Sequence, residues 1–579
     1  MPLRRPLPLR RLALVLALAA VALTLPAVAA RAQSSDCPAY TPGEIVFPIG
    51  PSGVAGRAHT TGLLVSNRRT SDVGVYIFYV SDSGSCSLRT ARAENVPAMG
   101  TSKPILDNRD RETGDAGSIR IIPDHTGSNL EATINYTDPA RAHFASTEGI
   151  ERAATTLNLP MLKSDTDKRG NGAGDDPGDG TSSRFRVQNV SAARTTAVIR
   201  YYYTDAAGAK RVLVENQDIP AYASALLEQR DKRDPATGAR MPEVYSATIQ
   251  APAPLAATVL TSGPEGLSSY NAIPLSADPA EVRARRSGAA PLVMAYNWPD
   301  VNTPAFTGIQ VQNTGSTITD IDIHFSKNIA KQEDQPTGPR PCDPNGPGNA
   351  PVSKHFDDVA PGQSVTLIQH KGDPGNPDDV RAGFDVDGRF DRGGVPCRYI
   401  GSATAWAEDG GQVAVLVQQV GYKMASLYTG LDGRADATSI PLLNVDTREP
   451  GNPAIYTGLN LQAFNTDNAT INKVKVKFGP NANNAGGNGP NCAVPDEEIE
   501  VFTTAAGAAN LLLGLPPKDR NGNPDPSSPL NDFVGCVYVG SATITAERDT
   551  QGVMKRTAVV VNQVARWYNE ENLGTWSIG

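Results

Sequence analysis

The chain has 579 residues, of which 39% are hydrophobic and 20% charged, so it is too apolar for a disordered polymer and long enough for about four domains. Its 54 Gly and 46 Pro residues indicate many turns and argue against a coiled coil or a helical bundle, and they fall below the content of a collagen-like chain. The formal net charge of −8 disfavours a nucleic-acid partner, which would require a basic surface.

The first 32 residues have the pattern of a secretory signal peptide. Four arginines, the last of them Arg11, precede an apolar run from Leu12 to about Val28, and Ala30-Arg31-Ala32 supplies small residues for cleavage. The alternative is a retained membrane anchor, for which the run is slightly short. Removing residues 1–32 with their five arginines changes the net charge from −8 to −13. No later stretch approaches the roughly 18 apolar residues of a span, so we predict an exported mature chain without one, in the cell envelope or outside the cell.

A short pattern recurs four times in the rest of the chain and predicts β-hairpins. Each copy has a first strand, ending in Asn in three of the four, and a β-rich run a few turn residues later. The first strands are Gly62–Asn67, Arg184–Asn189, Gly308–Asn313 and Gly458–Ala463. The runs that follow are Val75–Tyr79, Ala197–Tyr203, Ile321–Phe325 and Val474–Phe478.

Each copy continues with a turn-forming corner and two more strands. The Gly-Ser or Ser-Ala strands are Gly117–Ile121, Tyr245–Ile249, Gly401–Ala405 and Gly540–Ile544. The closing strands are Leu130–Ile134, Leu255–Val259, Val413–Val417 and Ala558–Val561. The copies are spaced by 122, 124 and 150 residues, which is too long for a solenoid repeat and indicates whole domains in tandem.

We therefore predict an all-β protein, a string of immunoglobulin-like or fibronectin-like β-sandwiches joined by short linkers. Antiparallel strands with one apolar face need a second sheet to cover it. The predicted units are 33–155, 156–285, 286–435 and 436–579. The antibody-type Cys…Trp…Cys core is missing from the sequence, which leaves the exact topology open. A β-propeller is the alternative, although four blades would not need about 120–150 residues each.

Two pairs of segments resemble a module of secreted bacterial multi-repeat surface proteins with immunoglobulin-like sandwiches. They are Ala290–Met294 with Thr307–Asn313, and Ile440–Leu443 with Thr457–Leu461. The resemblance covers most of residues 45–579, closely in the third and fourth units and loosely in the first. It implies an extracellular or cell-surface location and no particular activity.

The six cysteines predict three disulfides, as expected for an exported chain. The third and fourth units each have one Cys after an insertion and another that opens a Cys-x-Tyr-x-Gly-Ser-Ala-Thr strand. These positions predict two pairs, and elimination leaves the third. The predicted pairs are Cys342 with Cys397, Cys492 with Cys536 and Cys37 with Cys86. Metal ligation is the alternative, but the sequence has no C-x-x-C pair and its six His are scattered.

Motifs of nucleophilic, zinc-dependent or nucleotide-dependent enzymes are missing from the sequence, so we predict no catalysis and no cofactor. Calcium is the best ligand candidate, because the Asp- and Gly-rich segment 164–182 offers hard oxygen ligands from a flexible loop. The candidate ligands are Asp165, Asp167, Asn171, Asp175, Asp176 and Asp179. The alternative is a solvated acidic turn, since the EF-hand spacing with its terminal Glu is not present.

Aromatic residues add a carbohydrate-binding possibility, with buried rings that fill the sandwiches as the alternative. They are Trp298, Trp406, Trp567, Trp576 and Tyr201–Tyr203. We predict an extracellular or cell-surface structural or adhesion protein whose partners are other surface proteins, glycans or copies of itself. The alternatives are a carbohydrate- or polymer-binding protein and a secreted hydrolase with its site in the long insertions 326–358 or 370–396.

Overall fold

The computed structural model describes residues 37–578 outside a set of gaps and consists almost entirely of β-strands. The gaps are 42, 49–59, 89–93, 99–100, 103–116, 126–129, 139–142, 165–180, 264–265, 276–285, 296, 301–302, 327, 329–339, 343–352, 370–382, 385–389, 392–396, 409–410, 422–423, 431–436, 448–453, 465–471, 482–489, 504–507, 515–516, 518–524, 547–555 and 567–572. The described part of the chain has one helix, the 3-10 turn Pro529–Phe533. Within that part, no helix is long and apolar enough to cross a membrane.

The described residues of the first unit form nine strands in two antiparallel sheets. They are β1 (Ile45–Phe47), β2 (Thr60–Asn67), β3 (Val73–Val80), β4 (Cys86–Leu88), β5 (Glu94–Val96), β6 (Thr101–Ser102), β7 (Ser118–Pro123), β8 (Leu130–Asp138) and β9 (His143–Glu148). One sheet has the order β1-β7-β3-β4, with β5 also paired to β3, and the other has the order β6-β2-β8-β9.

The second unit has one strand that passes through both of its sheets. The strands are β10 (Ala154–Lys163), β11 (Ser182–Asn189), β12 (Thr195–Thr204), β13 (Lys210–Ile219), β14 (Ser224–Glu228), β15 (Val244–Gly263), β16 (Gly266–Asn271) and β17 (Ile273–Pro274). The first part of β15 lies between β10 and β12, and β13 follows β12 at the edge. The second part of β15 lies between β11 and β16, and β14 follows β11.

The third unit repeats this arrangement with separate strands. They are β18 (Ser287–Ala295), β19 (Asn297–Asp300), β20 (Thr303–Asn313), β21 (Thr319–Phe325), β22 (Ser353–Val359), β23 (Ser364–Ile368), β24 (Gly383–Phe384), β25 (Phe390–Asp391), β26 (Tyr399–Ala407), β27 (Val413–Gly421) and β28 (Met424–Thr429). The main sheets have the orders β18-β26-β21-β22 and β23-β20-β27-β28. β19 pairs with β20, and β24 and β25 form a separate two-stranded ladder.

The fourth unit has the same plan. Its strands are β29 (Ala437–Asp446), β30 (Ala454–Phe464), β31 (Asn472–Phe478), β32 (Ile499–Thr503), β33 (Ala508–Leu513), β34 (Val537–Ala546), β35 (Arg556–Arg566) and β36 (Leu573–Ile578). The orders are β29-β34-β31-β32 and β33-β30-β35-β36, linked by the pairing of Asp446 with Ile455.

Each unit is a sandwich of a first sheet, which holds its first strand, and a second sheet, which holds its last long strand. Apolar side chains of both sheets meet in one core. In the third unit, for example, Ile321 and Ile323 of the first sheet share a buried cluster with Ile309 and Val311 of the second. The all-β sandwich prediction is confirmed. No ladder between the described strands joins two units, and β10 starts at Ala154, two residues before the predicted boundary.

The strand order differs from that of an immunoglobulin constant domain. In that fold the sheets are ABED and CFG, so the first strand lies beside the second. Here β1 pairs with β7, and β8 takes the place beside β2; the later units repeat both pairings. Relative to the immunoglobulin order, strands A and G, which correspond to β1 and β8 in the first unit, have therefore exchanged sheets.

The Asn of the recurring pattern ties the hairpin turn to the next corner. Asn67, Asn189 and Asn313 are buried, and each donates from Nδ2 to a carbonyl in its own turn. The acceptors are the carbonyls of Ser71 (2.8 Å), Ala193 (2.7 Å) and Thr317 (2.8 Å). A second donation reaches the end of an edge strand, at the carbonyls of Val96 (3.2 Å), Ile219 (3.3 Å) and Val359 (2.7 Å). The pattern recurs because one amide side chain satisfies buried backbone groups that no strand can reach.

All three predicted disulfides are present. They join Cys37 to Cys86, Cys342 to Cys397 and Cys492 to Cys536. In the third unit, the ring of Tyr399 lies over Gly401, where an added Cβ would be 2.6 Å from Cζ of the ring. Tyr538 and Gly540 repeat this contact, at 2.5 Å, in the fourth unit. The glycine of the Cys-x-Tyr-x-Gly strand therefore makes room for the tyrosine.

The four units close into a ring. Their last long strands contact one another in cyclic order: β9 packs against β16, β16 against β28, β28 against β36, and β36 against β9. The chain is therefore not the open string that a tandem arrangement predicts, because the fourth unit returns to the first. Sequence spacing does not contain this information, since closure depends on the angle between successive units.

Every interface of the ring has the same direction, with the second sheet of a unit packed on the unit before it. Leu260 and Leu267 of the second unit join the core cluster of the first, and Leu416 and Leu427 of the third join that of the second. Leu64 of the first unit joins the core cluster of the fourth. Apolar burial thus stabilises three of the four interfaces, those of the first unit with the second, the second with the third, and the fourth with the first.

Polar contacts follow the same direction. In the third and fourth units, the Gln that precedes the last residue of the recurring pattern donates from Nε2 to the preceding unit. Gln312 reaches the carbonyl of Ala247 (3.2 Å), and Gln462 reaches that of Ala403 (3.2 Å). In the second unit, the buried Arg186 donates to Asp82 of the first.

Candidate functional site

The outer face of the third unit's first sheet presents a row of functional side chains across four strands. Ser287 of β18 lies opposite Trp406 of β26, which lies opposite Asp322 of β21, which lies opposite His355 of β22. Residues directly opposite in a sheet have Cβ atoms about 4.5–5.5 Å apart and point to the same face. We call Trp406, Asp322 and His355 the outer row.

Alternation along the strands places the outer row toward solvent. In β21, Ile321 and Ile323 are buried in the core, so Asp322 between them must point outward. Trp406 stands between the less exposed Ala405 and Ala407 and has 41% of its surface exposed. A tryptophan this exposed is one of few large apolar side chains on the described surface.

His355 is held between two carboxylates. Its Nδ1 lies 2.8 Å from an oxygen of Asp322, and its Nε2 lies 3.0 Å from an oxygen of Asp357. The hydrogen bond to Asp322, with a further contribution from Asp357, raises the pKa of His355 above its ordinary value. Both ring nitrogens donate when the imidazole is protonated, so this geometry suits the imidazolium.

Glu408 and Asp320 extend the acidic character of the row. A hydrogen bond to Asp322, followed by burial and by the nearby aspartates, raises the pKa of Glu408. Asp320 accepts from the backbone N–H of Asp358 at 2.8 Å, which fixes its position at the start of β21. The surface around the row is therefore rich in hydrogen-bond acceptors.

Two groups of side chains here bring potential metal ligands together. In each group the ligand atoms lie within 4.8 Å of one another. The groups are Asp320, His355 and Asp357, and Asp322, His355 and Glu408. One imidazole with carboxylates could hold a divalent cation, but the same atoms already bond to each other and most are exposed to water. We assign the cluster no metal.

The fourth unit borders the outer row. Gln462 donates to Oγ1 of Thr404 at 2.9 Å, two residues before Trp406 on the same face of β26. β33 of the fourth unit also packs beside β26. The contact with the fourth unit therefore covers one end of this sheet face and leaves the end with Trp406 open.

The structure places the residues predicted from the sequence in several environments. The six predicted calcium ligands lie outside the described residues, as does Trp567. Trp298 is in β19 and Trp576 in β36, and only their backbones are described. Tyr201 is buried in the second unit's core, while Tyr202 packs against Gly362 of the third unit, so these two rings do not form a free platform.

The outer row was missed by sequence reasoning apart from Trp406. Asp322, His355 and Glu408 are separated by long stretches of chain, and His355 looks like one of six scattered histidines. Only the register of β21 with β22 and β26 brings them together. The one usable signal was the alternation of Ile321-Asp322-Ile323, which indicates that the aspartate faces out.

The comparison with known proteins adds no relative. No protein-family model matches the chain, and no curated protein matches it. The functional interpretation therefore depends on the residues of this chain.

Proposed function

We propose that the protein is an exported, non-catalytic structural or adhesion protein whose third unit binds a glycan through the outer row. The observation that carries this proposal is an exposed tryptophan aligned, strand by strand, with a carboxylate and a histidine. The flat apolar face of an indole can stack on the C–H face of a sugar ring. Neighbouring carboxylates can accept hydrogen bonds from the sugar hydroxyls, and bonds to charged groups are the stronger ones.

The charge of the row defines the class of glycan. Asp322, Asp357 and Glu408 give the row a negative character, which a protonated His355 partly offsets. An anionic polysaccharide would be repelled, whereas a neutral polymer or an amino sugar would not. We therefore propose a neutral or amino-sugar polymer, bound weakly by each protein molecule and more strongly where many sites act together.

Export is supported by three disulfides, because such bonds persist in oxidising compartments. The bacterial cell envelope and the cleaved signal peptide remain part of the proposal. The non-catalytic role is supported by the shape of the row. Side chains on a flat, solvated sheet face lack the enclosed, water-excluding pocket on which most enzyme chemistry depends.

The test is retention of the purified, exported form of the chain on insoluble polysaccharides. Neutral glucans, chitin and a polyuronate would be compared for the unchanged protein and for Trp406→Ala. We expect retention on at least one neutral or amino-sugar polymer and at least a tenfold loss in Trp406→Ala, which corresponds to about 1.4 kcal/mol. Ile318→Ala is the matched control, since Ile318 is 60% exposed elsewhere on the same unit. Retention that is equal in Trp406→Ala, or found only on the polyuronate, would contradict the proposal.

A further inference from the structure

The edge strand β13 differs from the corresponding edge strands of the other units. It has ten residues and pairs with β12 over its whole length without a register shift. The corresponding strands β4 and β32 have three and five residues, and β22 carries a shift between Thr319 and Ile321 of its partner. Short or irregular edges protect a sheet from pairing with another chain, and β13 has neither protection.

Nothing described in the structure pairs with the free side of β13, which ends the strand order of its sheet. Its outward face carries two exposed valines. Val212 and Val214 have 54% and 52% of their surface exposed, more than any other described valine. A regular edge with adjacent exposed apolar residues can accept a further strand.

The sequence of β13 is complementary to itself when two copies run antiparallel. Around Leu213 it reads Arg211-Val212-Leu213-Val214-Glu215. A two-fold axis through Leu213 places Arg211 opposite Glu215 of the other copy, and Val212 opposite Val214. Opposite charges at directly opposed positions stabilise a sheet, and β-branched residues pack well on its surface.

Neighbouring registers lack this match. Because side chains alternate between the two faces of a sheet, the axis can move only by whole residues if the exposed valines of both copies are to stay on one face. Centring the axis on Val212 instead would place Lys210 opposite Val214, and centring it on Val214 would place Leu213 opposite Glu215. The register about Leu213 is the one of the three that pairs both the charges and the valines.

Both charged residues keep enough exposure to reach a second chain. Arg211 donates from Nε to Asp205 at 2.8 Å, and its side chain remains 59% exposed. Glu215 accepts from Tyr201 and from Lys232, and its side chain remains 39% exposed. Their existing bonds hold the two side chains in place on the same face of the strand.

We propose that β13 binds β13 of a second copy of this chain, in antiparallel register about Leu213. The first sheet of the second unit in one copy then continues into the same sheet of the other copy. The isologous contact closes on itself and gives a dimer rather than a fibre. It is independent of the outer row, which lies on the third unit.

The first experiment measures the oligomeric state of the full exported chain by sedimentation velocity over a wide concentration range. We expect the unchanged chain to form a dimer that dissociates on dilution. The double variant Val212→Lys with Val214→Lys should be a monomer, because each lysine would face a lysine of the other copy. Ile318→Lys is the control, with a similar change at a comparably exposed site, and should dimerise as the unchanged chain does. The proposal would be overturned if the unchanged chain were monomeric at every concentration, or if the double lysine variant still dimerised.

A second experiment tests the register. All six cysteines are in disulfides, so an added cysteine is the only free thiol. Leu213→Cys faces itself across the axis and should form an intermolecular disulfide under mild oxidation, whereas Asn216→Cys faces Lys210 and should not. Equal cross-linking of the two variants would exclude this register, and cross-linking of Asn216→Cys alone would exclude the proposed axis.

Discussion

The ring of Tyr202, in the second unit, occupies the space that a side chain at Gly362 of the third unit would need. A Cβ on Gly362 would lie 2.6 Å from Cε1 of Tyr202, and Gly362 has a φ of +81°. Ser246 of the second unit donates to the carbonyl of the same glycine at 2.8 Å. This corner therefore joins the two units through shape as well as through hydrogen bonding.

Gly362→Ala should lower the free energy of unfolding by about 2–4 kcal/mol, because it adds left-handed backbone strain to overpacking against Tyr202. Gly208→Ala is the matched control. Gly208 has a φ of +80° with nothing within 4 Å of its Cβ position, so this variant should lose only about 1 kcal/mol. Urea unfolding measures both, and Tyr202→Ala should partly rescue Gly362→Ala but not Gly208→Ala. Equal losses at the two glycines would mean that Tyr202 does not limit the interface.

Asn313→Ala should destabilise the third unit by about 2–4 kcal/mol. The change leaves the carbonyls of Thr317 and Val359 without their side-chain donor, and each buried unsatisfied group costs about 1–3 kcal/mol. Asn216→Ala, on the exposed face of β13, should change stability by less than about 0.5 kcal/mol. Thermal unfolding of the two variants checks this, and similar melting temperatures would show that the recurring Asn has no structural role.

Glu148 should make stability depend on pH. Burial, with a smaller effect of Glu151 and against the pull of Arg68, raises the pKa of Glu148 to about 7. Because the pKa of Glu148 is higher in the folded than in the unfolded state, the stabilisation that its protonated carboxyl gives is fully present below a pH of about 4.5. It is lost as the pH rises through about 7. Glu148→Gln should therefore match the unchanged protein at low pH. Above pH 7 the variant should be more stable than the unchanged protein by about 1–3 kcal/mol. We expect a value near the lower end of this range, because the Glu148 side chain is only partly enclosed.

Denaturant unfolding across this pH range tests the assignment. Glu148 ends β9 at the interface with the second unit, where Asn271 donates to its backbone carbonyl at 2.6 Å. The amide variant keeps that contact, so a difference between the two proteins reports the carboxyl group alone. A stability difference that is the same at low and high pH would show that another group is responsible.

Replacing both Cys342 and Cys397 by Ala should destabilise the protein by about 4 kcal/mol. The bond closes a loop with a sequence separation of 55, and the chain-entropy model gives this value for a loop of that size. Unfolding under non-reducing conditions compares the variant with the unchanged chain. Replacing Cys492 and Cys536, with a separation of 44, should cost nearly the same, so a large difference between the two pairs would point to packing rather than loop entropy.

Features that depend on neighbouring residues were predictable from the sequence, whereas features that depend on residues far apart in the chain were not. Alternation in segments such as Ile321–Phe325 predicts strands because side chains in a sheet must point to opposite faces. The disulfide pairs were predictable because the third and fourth units repeat the same Cys positions. The role of Asn313 was not predictable, since its acceptors lie in a turn and at a strand end that only the fold brings together.

An all-β protein with repeating units and three particular cysteine pairs could be predicted from the amino-acid sequence, because alternation, turn residues and repeated spacing are local properties of the chain. Only the folded chain shows that the units close into a ring, that β1 and β8 exchange sheets relative to the immunoglobulin order, and that Trp406, Asp322 and His355 form one row. Each of these depends on strand register and on the angle between units, which arise from contacts between residues far apart in sequence.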